Sequence, residues 1–312
     1  MHVAHWAKRP VKEPHLKGAA LIESIDQSLV GHAEVAVWWL GQSGYVFKTP
    51  DAIVVVDPYL SEHLTSKYAS TDKPHVRMTA SPLRGVEITN ADLVISTHKH
   101  SDHLDPETIP DLLSASPAAR LVIPRPHLDH VLGWGVAEER VVLADVEAPL
   151  AFPGVELVPI AAAHEAFDVV AGQGYPYLGF IVRLNGVCLY HSGDTIPYPG
   201  LIERLSSEQL DAAFIPINGR DARRHANGTA GNCSIEEALC VAHLAGAHLL
   251  VPHHYDMFTF NTADIEEFKV RAGELYPGQE VLVMECGREY RLHRRRDRGQ
   301  PLTAPAVIPA TK

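Results

Sequence analysis

Within six residues, His98-Lys99-His100-Ser101-Asp102-His103, the chain carries three imidazoles and a carboxylate. The apolar run at residues 91–96 ahead of them reads as a buried strand. Asp105 and Pro106 behind them read as a helix cap and first helical residue. The cluster therefore belongs on a strand-to-helix loop, where no core demands such side chains and all four can turn toward one point. Imidazole and carboxylate are ligand types that zinc, manganese and iron accept. This motif demands a fold that brings further ligands to the same place.

Three later positions have suitable chemistry at the ends of expected strands. His164 follows residues 155–160, Asp194 follows residues 187–190, and His254 follows residues 249–251. Ligands presented from strand ends give a rigid site with open access. Because the chain has 19 histidines, position rather than number has to select the functional ones. His127, His130, His243 and His248 have no partner motif and read as structural or surface residues.

Further strands are expected at residues 35–40, 45–48, 53–56, 121–123, 141–143, 180–184, 213–215 and 281–284. Helices are expected at 106–113, 201–205, 234–244 and 264–272, with an amphipathic one near 19–29. Gly41-Gln42-Ser43-Gly44 suits a hairpin turn and Asn185-Gly186 a two-residue hairpin. Ser234 and Glu237 form a capping box. Hairpins followed by strand-helix alternation suggest a mixed sheet, or two packed sheets, with helices outside.

Composition excludes several classes. With 46% hydrophobic and 21% charged residues, the 312-residue chain is of ordinary globular make-up. Its net charge of −11 argues against nucleic-acid or membrane-surface partners, which need a basic face. No apolar run approaches the roughly 20 residues of a membrane span. The N-terminus lacks a signal-peptide core, so the expected compartment is the cytoplasm. Cys188, Cys233, Cys240 and Cys286 are scattered and read as reduced, structural residues.

The His-x-His-x-Asp-His motif with the later His, Asp and His resembles the metallo-β-lactamase fold over residues 35–286. Finer features resemble the branch typified by L-ascorbate-6-phosphate lactonase: Trp38-Trp39-Leu40-Gly41, Gly133-Trp134-Gly135-Val136, Tyr190-His191-Ser192-Gly193-Asp194, and Pro252 ahead of His254. The resemblance implies an α/β fold, a four-layer αβ/βα sandwich with two divalent metal ions between the sheets, zinc or manganese, with iron as another candidate. His98, His100 and His164 would hold one ion, Asp102, His103 and His254 the other, and Asp194 would bridge them. Asp57 matches the family's first motif, with the expected role of orienting a ligand. A histidine stands at position 164, where that branch can carry an acidic residue.

On this reading residues 35–293 form the hydrolase domain, preceded by an N-terminal extension (1–34) and followed by a flexible tail (294–312). A hydroxide bridged by the two ions would attack a small anionic substrate, most simply a sugar-phosphate lactone. A phosphodiester or phosphonate ester would suit the same ions. Asp102 could steer the nucleophile or take its proton, and His191 could touch a ligand or substrate. Asp256 and Tyr255, flanking His254, could support it or meet substrate. Asn218 and Arg220 lie on an arginine-rich segment after an expected strand, where guanidinium groups suit phosphate or carboxylate. The resemblance also implies a homo-oligomer. A nuclease would be expected to add a basic surface, and a redox di-iron member a flavin domain; this chain shows neither.

Overall fold

The computed structural model describes residues 10–295. Its strands are β1 (Glu34–Gly41), β2 (Gly44–Lys48), β3 (Ile53–Val56), β4 (Leu93–Ile95), β5 (Arg120–Pro124), β6 (Val141–Ala144), β7 (Leu150–Phe152), β8 (Val155–Ala161), β9 (Leu178–Leu184), β10 (Val187–His191), β11 (Ala212–Pro216), β12 (Leu249–His253), β13 (Glu280–Val281) and β14 (Glu289–His293). The helices are α1 (Ala19–Gln27), α2 (His63–Lys67), α3 (Thr108–Ala115), α4 (Leu128–Leu132), α5 (Leu201–Ser206), α6 (Ala222–Ala226), α7 (Ile235–Leu244) and α8 (Ile265–Leu275). They build two seven-stranded mixed sheets, ordered β14-β1-β2-β3-β4-β5-β6 and β13-β12-β11-β10-β9-β8-β7.

Period-two alternation decides what each face meets. Along β1, Val35, Val37 and Trp39 point into the core between the sheets, whereas Ala36, Trp38 and Leu40 pack outward with Leu21 and Ile25 of α1 and Leu112 of α3. On the second sheet, Phe180, Phe214 and Val251 join a core that extends to Leu205 of α5, Leu239 of α7 and Phe268 of α8. The layers are therefore helices, sheet, sheet, helices, as the resemblance implied.

Register explains where the site falls. β1, β3 and β4 run in one direction, as do β8, β10, β11 and β12 within the other sheet. The loops after these strands carry Gln42, Asp57, the His98–His103 cluster, His164, Asp194 and His254.

The hairpins at Gly41–Gly44 and Asn185-Gly186 form as their turn residues predict, and the Ser234 capping box closes the start of α7. Other boundaries differ. The third helix begins at Thr108 rather than Pro106, because the Asp105 carboxylate is engaged by Ser61 as well as by Glu107 N and Thr108 Oγ1. It thus ties two loops together. Of the strand expected at 281–284, only Val281 is paired. The chain instead returns as β14 along β1, an element foreshadowed only by alternation of Tyr290 and Leu292. The five-residue helices α2, α4 and α6 are too short for periodicity to register. In the tail expected to be flexible, Arg294 N–H bonds Ala33 O and Arg295 N–H bonds Asp211; residues 296–312 lie outside the described residues.

Phe214 is fully buried between the sheets, with its ring centroid 4.7 Å from Tyr45 and 5.3 Å from Phe47. Phe214→Ala should destabilise the fold by about 3–5 kcal/mol, read as a lowered guanidinium midpoint. An unchanged midpoint would show that the two sheets do not depend on this contact.

Candidate metal centre

The first cluster converges as its spacing suggests. His98 Nε2 lies 3.0 Å from His100 Nδ1, and both fall within a group of possible ligands that includes His164. Two further groups join them: His98, His103 and Asp194, and Asp102, His103 and His254. Asp194 stands between the two halves. Its carboxylate is 3.3 Å from His103 Nε2, 3.7 Å from His164 Nε2 and 3.2 Å from His254 Nε2. Asp102 Oδ2 is 3.8 Å from His103 Nε2 and 3.6 Å from His254 Nε2.

Asp57 sets the orientation of His103. Fully buried at the end of β3, it accepts hydrogen bonds from Thr97 N–H and Thr97 Oγ1, both at 2.8 Å. Its Oδ2 also lies 2.7 Å from His103 Nδ1. Holding the proton on Nδ1 leaves the Nε2 lone pair facing Asp194 and the cluster. Gly193, next to Asp194, has φ +58°. A Cβ there would come within 2.7 Å of Leu178 O and 2.8 Å of Thr97 Cβ, so only glycine permits this approach.

The donor set fits divalent cations. Burial pushes the pKa of His98 well below its usual range, that of His100 down to about 4, and that of His164 down. These rings therefore keep the neutral, lone-pair form that ligation requires. His103 also suffers the cost of burial, but the carboxylates of Asp194, Asp57 and Asp102 outweigh it and raise its pKa well above normal. Asp194, despite burial, is held ionised by His254 and His103. The buried atoms His103 Nε2 and Asp194 Oδ1 face one another at 3.3 Å, and neither makes a well-formed hydrogen bond to any other group among the described residues. Buried polar atoms left so poorly satisfied are costly, and a cation taken up by both would meet that need. His98, His100 and His164 would hold one ion, Asp102, His103 and His254 a second, with Asp194 shared.

A cavity of about 460 Å³ opens above this cluster, lined in part by His100, Asp102, His164, Asp194 and His254. Lys67, Lys73 and Lys99 also line it, Lys67 and Lys99 being exposed, as do Tyr68, His75, Phe258 and Phe260. Those rings pack on one another: Tyr68 stacks on His75 at 4.2 Å, and His75 meets Phe258 and Phe260 at 4.8 and 4.7 Å. None of the three lysines forms an ion pair among the described residues.

Several expected residues lie elsewhere. His191 is fully buried away from the cavity, its Nε2 2.9 Å from Ser43 O and its Nδ1 accepting from Gly193 N–H. Both ring nitrogens are thus used by backbone groups, and the ring does not reach the cavity lining. Arg220 grips Glu237 with both guanidinium nitrogens, at 2.5 and 2.6 Å, and also donates to Asn232 O. These bonds turn the guanidinium onto α7, and Arg220 does not line the cavity described above. Asn218 bonds Asn261 and Asn232 and lies behind the cavity wall. Its segment reaches the cavity through Gly228, Thr229 and Ala230 instead. Tyr255 is buried and stacked on Trp39 at 4.9 Å. Asp256 turns to Lys12, 2.5 Å away, so it supports no ligand.

Sequence reasoning missed the lysines, the aromatic wall and His130, which lines the cavity. It also missed Tyr177, whose ring lies 5.3 Å from both His98 and His164. Isolated lysines and aromatics carry no motif, and only folding brings them together. Gln42, in the hairpin turn, was read for its turn alone. Its side chain reaches Asp102 and His254.

A family model described as the beta-lactamase superfamily domain matches residues 53–255. The chain belongs to that superfamily, and with this sandwich and ligand cluster it is a metal-dependent hydrolase of the metallo-β-lactamase type. An Escherichia coli protein named "Probable L-ascorbate-6-phosphate lactonase UlaG" is 26% identical over 282 residues, covering 81% of this chain and 78% of its own. Among solved structures, the metallo hydrolase Igni18 from Ignicoccus hospitalis is 23% identical with TM-score 0.61, covering 84% of this chain and all of that one. An isothiocyanate hydrolase from Delia radicum gut bacteria superposes with TM-score 0.64 at 16% identity, covering 83% of this chain and 100% of its own. Both structural likenesses concern the fold.

Asp57→Asn should lower the affinity for added Zn2+ or Mn2+ by about 10–100-fold while the chain stays folded. The amide would present N–H to His103 Nδ1 and move the ring proton to Nε2. Unchanged affinity in a metal titration would remove Asp57 from this role.

Proposed function

We propose that the protein hydrolyses a small anionic substrate of the sugar-phosphate lactone class. The observation that carries this reading is the make-up of the cavity lining. Converging imidazoles and carboxylates share one cavity with Lys67, Lys73 and Lys99, of which Lys67 and Lys99 are exposed and none is ion-paired among the described residues. The relative named as a lactonase, aligned along most of both chains, supports the lactone over other hydrolysable bonds.

When bound, two divalent cations supply Lewis acidity and a water acidic enough to ionise near neutral pH. The chain's own groups do the rest. The lysines hold the substrate's anionic end as point charges. Phe260, half-buried in the cavity lining, would offer apolar contact to the sugar ring. Asp102, whose side chain is 17% exposed against 4% for Asp194, is the cavity carboxylate placed to accept and return a proton. A phosphodiester could occupy the same cavity, and a screen of lactones, phosphodiesters and phosphomonoesters with metal-reconstituted protein separates the two.

His100→Ala or Asp194→Ala should abolish turnover and lower bound metal in elemental analysis without unfolding the chain. Normal turnover by a folded, metal-free variant would contradict the scheme. Replacing Lys67, Lys73 and Lys99 together by alanine should raise KM for a phosphorylated lactone roughly tenfold, since three exposed ion pairs of about 0.5 kcal/mol each sum to about 1.5 kcal/mol. KM for an uncharged lactone should change little. Equal effects on both substrates would remove the anion site, and Arg220→Ala should not discriminate between them.

A further inference from the structure

Gln42 is fully buried and sits at the tip of the β1–β2 hairpin with φ +50°. Its backbone is fixed from two sides. The carbonyl accepts from the Trp39 indole N–H at 3.0 Å and from His254 N–H at 3.1 Å. Its side-chain Nε2 is 2.8 Å from Asp102 Oδ2 and 3.2 Å from His254 Nε2, whereas Oε1 is buried without a hydrogen-bond partner among the described residues. Gln42 does not line the cavity, so it meets these two ligands from the protein side, away from where substrate enters.

The spacing suits a shared cation. Donors about 2.0–2.2 Å from one ion stand roughly 3.0–3.4 Å apart in octahedral or tetrahedral arrangements. The terminal amide atom and Asp102 Oδ2, at 2.8 Å, and the same atom and His254 Nε2, at 3.2 Å, fall close to that range. An N–H pair aimed at a cation held by Asp102, His103 and His254 would face like charge. A half-turn of the amide exchanges nitrogen and oxygen with almost no change of shape. It places the oxygen at the same point and leaves the amide hydrogens where the oxygen now has no partner, a loss the ion's charge outweighs.

We propose that the side-chain oxygen of Gln42 is a further ligand of the cation held by Asp102, His103 and His254. The inference rests on the two-cation reading above. Its consequence is that the two positions differ in chemistry. His98, His100 and His164 offer only imidazoles besides the shared Asp194, whereas the second position gains an amide oxygen beside a carboxylate. Carboxylate and carbonyl oxygens suit manganese and other hard cations.

The test is a Mn2+ titration of wild type, Gln42→Leu and Gln42→Glu, followed by the electron paramagnetic resonance signal of free Mn2+. The wild type should take up two ions. Gln42→Leu should keep the tighter site and weaken the other by about 10–100-fold, and Gln42→Glu should bind the second ion at least as tightly as wild type. If Gln42→Leu does not fold, Gln42→Asn, which withdraws the amide by one methylene, should show the same loss. Unchanged binding by the leucine variant overturns the ligand role while leaving the two-cation reading intact. A weakened second site in Gln42→Glu overturns it too, because an amide that merely donates to Asp102 would be replaced by a repelling carboxylate. A wild type that binds fewer than two ions overturns both.

Discussion

The concentration of charge at one end of the sandwich governs the rest of the structure. Asp57, Asp102 and Asp194 lie within a few ångströms of His103, and Asp57 and Asp194 are almost wholly withdrawn from water. Burying a carboxylate without compensation is among the most expensive acts in folding. Each one here has assigned partners: Thr97 and His103 for Asp57, His103 and His254 for Asp194, and the same two histidines for Asp102. Those partners come from both sheets. Charge compensation therefore ties the strand ends together across the sandwich, while the apolar core holds the strands themselves.

Backbone strain marks the same place. Gln42, Asp57, Glu165 and His254 all have positive φ, between +44° and +68°. Left-handed non-glycine residues cost about 1–3 kcal/mol each and persist only where their surroundings fix them. Each follows directly on a strand or on a ligand. The chain must leave its extended path abruptly to turn Asp57 back onto Thr97 or to aim His254 at Asp194, and the hydrogen bonds made after the turn offset its cost. Gln42 and His254 hold one another through the Gln42 carbonyl.

What could be read from the residues divides along physical lines. The His98–His103 cluster was visible because six consecutive residues show their chemistry without any tertiary knowledge. His164, Asp194 and His254 stood out because each ends a recognisable strand, and the fold brings all three to the cluster. The failures share one cause, that sequence shows a residue's type and not its direction. His191 is three residues from Asp194, yet it belongs to β10 and points into the packing against His253, 5.0 Å away and nearly parallel. Arg220 looked available because Glu237 is 17 residues away. The lysines of the cavity lining come from three separate stretches, which no local pattern joins.

The proposed function requires a chain with net charge −11 to receive an anion. Without cations, the floor of the cavity presents Asp102 and Asp194 to anything entering. Three lysines in the same lining, two of them exposed, are screened by salt within about 10 Å and cannot offset two carboxylates there. Two divalent cations would reverse the sign of the floor and let it act together with the lysines on a negatively charged substrate. On the proposed function, metal uptake and anion recognition would be coupled through plain electrostatics, with no moving part required. The aromatic side chains of the same lining would add contact area that is indifferent to charge, which on that reading leaves the sign of the floor to decide what binds.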